Sequence, residues 1–333
     1  MHYALPLVDQ AEQFSTSMLS SAAVEAMKSK RANRFPDFLA VGPPRTATTW
    51  LHRALTGRVG LPAHVKETNF FDVCYDRGID WYLEHFRDCP PGLPMGEISC
   101  YFGSIAARER IQQHMPDCKI IITLRDPVQR AYSAYKLMRC RAYTRAGFEE
   151  FLEQRPHVVR GTKYAFHLAD WIARFGRDRV FVSFYEELKD EQAYFDKVCA
   201  FIGIDSCPLS EVKGLHQSRN SFARAPRSHK LAQNARHLRI KLKRRGFYRT
   251  VNLLEQIGVW DYCFGRGDPF AGLSLEEDER VRRRFISEVE AVEELLQIDL
   301  TDWKDTRHDS DRAPASTSAD DDPFRSLELL TRS

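Results

Sequence analysis

The sequence predicts an α/β fold with a central, mainly parallel sheet flanked by helices, and three observations lead there. Two short apolar runs, Phe38-Leu39-Ala40-Val41 and Lys119-Ile120-Ile121-Ile122-Thr123-Leu124, each give way at once to a tight loop and then to helical composition. Helical and strand patterns then alternate through residues 161–202. No repeat of solenoid period interrupts the order, so strands joined by helical crossovers are the architecture that fits.

The first run ends in Gly42 and reads as a buried strand, with Thr49–Leu55 as the helix behind it. In the second unit β-branched residues favour a fully buried strand. Pro127 stands where the next helix begins, a position at which its missing N–H costs nothing. Tyr164, Leu168, Trp171, Ile172 and Phe175 share one helix face, Val180–Phe184 is the following strand, and Asp190–Ile202 is helical again. Ser274-Leu275-Glu276-Glu277 has capping-box form, and Val281, Phe285, Val289, Val292 and Leu296 predict one long helix behind it. The domain is expected over residues 36–304. Residues 1–35 form a polar, irregular extension, and residues 305–333, rich in Asp, Ser, Thr and Pro, a disordered tail.

With 333 residues, 43% of them apolar, the chain fills a substantial core. Its 49 Lys and Arg against 46 Asp and Glu leave +3, so bulk charge does not announce a nucleic-acid binder. No run approaches the ~18 apolar residues of a membrane span. Met1–Gln13 carries acids and no basic hydrophobic signal pattern, so the expectation is a soluble, unexported, cytoplasmic protein without a membrane partner. Eight cysteines lie far apart with no C-x-x-C pair, which predicts reduced thiols and no metal site.

The loop Gly42-Pro43-Pro44-Arg45-Thr46-Ala47-Thr48-Thr49, between strand and helix, has the placement of an anion-binding loop. Backbone N–H groups point into such a curve, the helix N-terminus adds partial positive charge, and Arg45 with the hydroxyls of Thr46, Thr48 and Thr49 would complete an oxyanion shell. It is not a Walker A loop, because the second Gly and the Lys of that pattern are missing, and Pro43 and Pro44 offer no N–H. A proline-stiffened turn with a Thr cap is the alternative that this loop alone leaves open. In the second unit Arg125 ends the strand, where ligands meet open α/β sheets, and Ser133 follows two turns into the helix. Asp126 is the obvious ion-pair partner if Arg125 is merely structural.

Taken together, these two units resemble the sulfotransferases that use 3′-phosphoadenosine 5′-phosphosulfate (PAPS). Gly42–Leu51 resembles that family's 5′-phosphosulfate loop and Ile120–Ser133 its 3′-phosphate motif. Val65-Lys66-Glu67-Thr68-Asn69-Phe70-Phe71-Asp72 and Tyr164-Ala165-Phe166-His167-Leu168-Ala169-Asp170-Trp171 are similar to segments of the heparan sulfate branch, and the likeness covers about Phe38–Ile204. The resemblance implies a P-loop-like three-layer fold. It implies PAPS as co-substrate, held by Arg45, Thr46, Ala47, Thr48, Thr49 and Trp50 at one end and by Arg125 and Ser133 at the other, with no metal.

By the same resemblance Glu67 is the candidate general base, because carboxylates are ionised at neutral pH and accept a proton as the acceptor attacks. His64, three residues away, is its rival. Arg45 and Lys66 are the cations for the leaving oxygen. Asp72 orients the acceptor or a cation, or simply caps a helix, and His167 reads as a satisfied core histidine. Glu97-Ile98-Ser99-Cys100-Tyr101-Phe102 resembles an E-K-[ST]-x-x-Y-F segment with Ile98 in place of the lysine, which leaves Ser99 and Tyr101 as candidates for the acceptor cleft.

From Val212 to Leu254 there is no Asp or Glu, and residues 219–249 hold eleven Lys or Arg. In the family a basic loop after the core closes over the nucleotide, which implies roles for Phe222, Arg224 and Arg227; a solvated basic helix is the plainer reading. With few aromatics interleaved, nucleic acid is disfavoured as a partner. The expected activity is sulfuryl transfer to a hydroxyl or amine of a carbohydrate or small metabolite. A magnesium-dependent P-loop kinase and a non-catalytic polyanion-binding module are the competing readings.

Overall fold

The computed structural model describes residues 34–212, 215, 224–244, 247, 250–251, 253–254, 257–264 and 267–306. The extension up to residue 33, the tail from 307 and Phe222 lie outside them. Four parallel strands, β1 (Phe38–Ala40), β2 (Gly96–Ile98), β3 (Lys119–Leu124) and β4 (Val180–Phe184), form one sheet in the order β2-β1-β3-β4. Three strands lie within a residue of where their apolar runs place them. β2 is the exception, being only three residues long with a glutamate at its centre.

Because side chains alternate across a strand, β1 and β3 feed two cores. Leu39, Val41, Ile120, Ile122 and Leu124 face one side, where helices α2 (Ile105–His114) and α4 (Tyr164–Phe175) cover them with Ile111, Leu168 and Trp171. Phe38, Ala40 and Ile121 face the other, under α1 (Thr48–Leu55) and α5 (Glu191–Ile202), which supply Leu51, Leu55, Phe195 and Val198. This makes the three layers. Helix α3 (Pro127–Cys140) opens with Pro127 at its first position, and its Asp126 cap accepts from Val128 N at 2.8 Å and Gln129 N at 3.2 Å.

Two expectations need correction. Phe35, assigned to the extension, packs on the core with its ring 5.7 Å from that of His114. The single long helix expected from Val281 to Leu296 is two helices, α7 (Leu275–Arg283) and α8 (Ile286–Leu296), separated at Arg284–Phe285. Val281 and Phe285 bury among Val128, Ala131 and Phe148, whereas Val289 and Val292 bury in the Trp171 core, and one straight helix does not reach both. Ser274 caps α7 by accepting from Glu277 N at 3.1 Å.

The basic stretch contributes helix α6 (His229–Arg244), which packs through Ala232 and Ala235 on Trp260 and Phe264. Two of its cations are spent on packing: Arg236 lies 4.1 Å over the Tyr143 ring and Arg239 5.8 Å over Trp260. Among the described residues no helix is long and apolar enough to cross a membrane. None of the eight cysteines is in a disulfide.

Candidate active site

Strand order places the site. The connection leaving β1 runs to one side for β2 and the chain later returns to the other side for β3, so the loops after β1 and β3 flank a switch point, where open α/β sheets form a crevice. Val41 N donates to Ile121 O at 2.9 Å, and a Cβ on Gly42 would lie 3.1 Å from Thr46 Oγ1 and 3.4 Å from the Thr123 backbone; the loop turns tightly against β3. Beyond the prolines, Arg45 (φ 76°) and Ala47 (φ 64°) adopt left-handed backbone on either side of Thr46. Alternation of this kind curls successive N–H groups inward into an anion-binding nest. The unsatisfied N–H groups of the first turn of α1 and its dipole lie next to it.

Within this loop the predicted donors divide. Thr46 is buried and its hydroxyl donates to Pro43 O at 2.8 Å, so it braces the turn and is not a free oxyanion donor. The Trp50 indole is buried against Tyr194, ring centroids 5.5 Å apart, and its Nε1 has no hydrogen-bond partner among the described residues. Thr48 Oγ1 accepts from Lys66 Nζ at 3.3 Å, and Thr49 is half-buried in the first turn of α1.

The second unit meets the first directly. Arg45 Nε donates to Ser133 Oγ at 3.0 Å, and Arg125 Nη1 donates to the Arg45 carbonyl at 3.3 Å. Arg125 does not pair with Asp126, the partner its sequence neighbourhood suggests; Asp126 caps α3 and binds Arg282. The Arg125 guanidinium instead stacks 4.1 Å over the ring of Tyr185, just past β4. Burial and, next, the charge of Arg125 pull Arg45 down from the ordinary guanidinium value to about 10. Two guanidiniums held this close repel, and a dianion bridging them would remove the penalty, so these donors fit a phosphorylated nucleotide.

Lys66 ties the loop to a carboxylate, its Nζ 2.9 Å from Glu67 Oε1, and both side chains are largely buried. His64 is exposed on a left-handed turn (φ 65°) and makes no hydrogen bond to this pair, so the geometry does not bring the rival base to it. Asp72 is half-buried, and desolvation, with Glu97 and Glu67 nearby, raises it to about 6. The Cys100 thiol, under the charges of Glu67, Lys66, Asp72 and Arg45, is pushed up, chiefly by burial. His52 on α1 is lowered to about 4 by burial and then by Lys66 and Arg53. Within the core His167 Nδ1 accepts from Arg108 Nη2 at 3.0 Å, as expected of a satisfied histidine.

Sequence reasoning missed what holds Glu67. Glu97 at the centre of β2 is fully buried, and its Oε1 accepts from Thr68 N at 2.9 Å, Thr68 Oγ1 at 2.7 Å, Ser99 Oγ and Tyr101 OH at 3.2 Å. Its Oε2 accepts from Tyr82 OH at 3.0 Å. Ser99 and Tyr101, expected in an acceptor cleft, are thus ligands of a buried carboxylate that pins the residue next to Glu67. Phe70 and Phe71 anchor the same segment, with ring centroids 4.7 and 5.0 Å from Tyr82, and Arg110 holds the Phe71 carbonyl at 2.8 Å. Arg224 is exposed and donates to Gly267 O at 3.3 Å, and Arg227 is exposed; neither hydrogen-bonds to Arg45, Arg125 or Ser133.

Comparison with known proteins agrees with this geometry. The model of the sulfotransferase domain family matches residues 35–246. The chain is 29% identical over 203 residues to bifunctional heparan sulfate N-deacetylase/N-sulfotransferase 4 of Mus musculus, an alignment covering 53% of this chain and 23% of that protein. It is 29% identical over 202 residues to enzyme 3 of the same kind from Homo sapiens, with the same coverage. The chain therefore spans less than a quarter of the length of these relatives. Among solved structures, a sulfotransferase from Alicyclobacillus acidocaldarius superposes with a TM-score of 0.58 at 20% identity, covering 82% of this chain and all of that one, and so shares the fold.

Proposed function

The chain belongs to the sulfotransferase domain family, and from that premise we propose that it transfers a sulfuryl group from PAPS to an acceptor hydroxyl or amine. The observation that carries this reading is the Arg45–Ser133 hydrogen bond, which joins the 42–49 loop to helix α3 across the switch point, so that Arg45 and Arg125 face one crevice. The 45–49 nest and the start of α1 would take the phosphosulfate end, and Arg125 with Ser133 the 3′-phosphate.

The donor, when bound, supplies an SO₃ group on a phosphate leaving group. Glu67 takes the proton of the attacking hydroxyl or amine, while the new bond to sulfur forms and the bridging S–O bond breaks in line. Lys66, between Thr48 and Glu67, and Arg45 in the nest hold the charge that develops on the leaving oxygen. Lys66 also fixes the Glu67 carboxylate until the acceptor arrives. These fixed cations take the role that a magnesium clamp fills in phosphoryl transfer.

The relatives' names support a carbohydrate acceptor as the finer proposal. Eight cysteines far apart in sequence, with no C-x-x-C pair, support a reducing, cytoplasmic setting. The test is incubation of the full chain with labelled PAPS and a panel of sugars, glycans, phenols and alcohols in the presence of a chelator. Label is expected in one acceptor class, undiminished by chelation. Magnesium-dependent phosphate transfer from ATP would instead select the kinase reading.

A further inference from the structure

We propose that Arg282, on helix α7 beyond the family-matched segment, is a positioning residue for the nucleotide 3′-phosphate: it occupies Asp126 and thereby leaves Arg125 to face the ligand. The inference rests on the donor site proposed above and adds the C-terminal helices to it.

Arg125 and Asp126 are neighbours in sequence at the mouth of the crevice, and the carboxylates within reach of the Arg125 charge are Asp126 and the half-buried Glu186, which feels both. The structure gives the Asp126 carboxylate two other duties. One oxygen caps α3 through Val128 and Gln129, and the other receives Arg282 Nη1 at 2.9 Å, with both side chains almost completely buried. Arg282 is itself clamped by Asp278 in a two-pronged pair, Nε to Oδ2 at 2.9 Å and Nη2 to Oδ1 at 3.0 Å, and Nη1 also donates to the Trp303 carbonyl at 2.6 Å.

A second route reaches the same dipeptide from its other side. The ring of Trp303, on the short helix α9 (Thr301–Lys304), packs 5.6 Å from Phe184 at the end of β4 and 6.3 Å from Tyr164, whose hydroxyl donates to the Arg125 carbonyl at 2.9 Å. The C-terminal segment therefore holds the Asp126 side chain and braces the Arg125 main chain. Without Arg282, a buried and uncompensated Asp126 oxygen would draw the Arg125 guanidinium inward, in competition with any phosphate.

The test compares binding of adenosine 3′,5′-bisphosphate and adenosine 5′-monophosphate by calorimetry on the full chain. Wild type should prefer the bisphosphate. Arg282→Met should reduce that preference about tenfold or more while leaving monophosphate affinity within about twofold, the signature of one lost charged contact and not of a loosened fold. A triple variant, Arg282→Met with Asp126→Asn and Asp278→Asn, removes all three charges together and orphans none; its asparagine still caps α3, and the preference should return. The proposal is overturned if Arg282→Met keeps the wild-type preference, or if the folded triple variant lacks it. If Arg282→Met does not fold, Arg282→Met with Asp278→Asn takes its place: Asp126 stays charged and uncompensated there, the preference should fall about tenfold, and an unchanged preference overturns the proposal. Absence of any preference in wild type would refute the donor site itself, before a variant is compared, and the proposal falls with it.

Discussion

The roles proposed for Arg125 and Glu67 are separable by substitution. Arg125→Ala removes a charged donor from one end of the crevice and should weaken adenosine 3′,5′-bisphosphate binding by roughly 10- to 100-fold, with the fold intact; unchanged affinity in calorimetry would take Arg125 out of the site. Glu67→Gln keeps the side chain's shape and should preserve donor binding while turnover drops by about 10²- to 10⁴-fold, as loss of a general base does. Near-normal turnover would pass the proton to another group. Asp72 supplies a pH signature. Its folded-state value of about 6 lies above the ordinary 3.8, so between those values the native state holds a proton that the unfolded chain has released, and stability falls as pH rises through that window. Asp72→Asn should flatten that fall, by at most about 3 kcal/mol, in thermal melts from pH 4 to 7. Equal slopes in variant and wild type would contradict the assignment. At this scale residue types were legible and their partners were not. Arg45, Lys66, Glu67, Arg125 and Ser133 stand out in the sequence, yet nothing there distinguishes Thr46 bracing the turn from Thr48 contacting Lys66, or reveals that Glu97 gathers Thr68, Ser99, Tyr82 and Tyr101. A single glutamate in a three-residue strand has no periodic signal.

Strands and helices were read well where one apolar pattern served one core. Lys119–Leu124 and Val180–Phe184 form strands over the expected residues, and Tyr164–Phe175 forms the helix that its apolar face predicts. The failure at Arg284–Phe285 came where one continuous pattern serves two cores, because periodicity reports the facing of side chains but not a change in what they face. β2 was missed for a related reason. Its first pair with β1 sets Gly96 opposite Phe38, and the Phe38 ring fills the space where a side chain would stand. A Cβ at Gly96 would fall 2.1 Å from that ring, so Gly96→Ala should cost about 1–3 kcal/mol in urea unfolding. An unchanged midpoint would mean that the Phe38–Gly96 pairing is not the native register.

Across the molecule, the switch point between β1 and β3 organises everything else. It brings the 42–49 loop and the start of α3 to one crevice, the 65–72 segment supplies Lys66 and Glu67 from the side, and the C-terminal helices close behind Asp126. The +3 net charge conceals this arrangement, since the cations that matter are a few placed arginines and a lysine, while part of the basic stretch is spent on aromatic packing. A crystal structure of the full chain with adenosine 3′,5′-bisphosphate shows whether one nucleotide spans both units. The expected result is the 5′-phosphate on the backbone of residues 45–49 and the 3′-phosphate on Arg125 and Ser133, in a single molecule spanning both. A nucleotide bound outside that crevice, or one touching only one of the two loops, would contradict it.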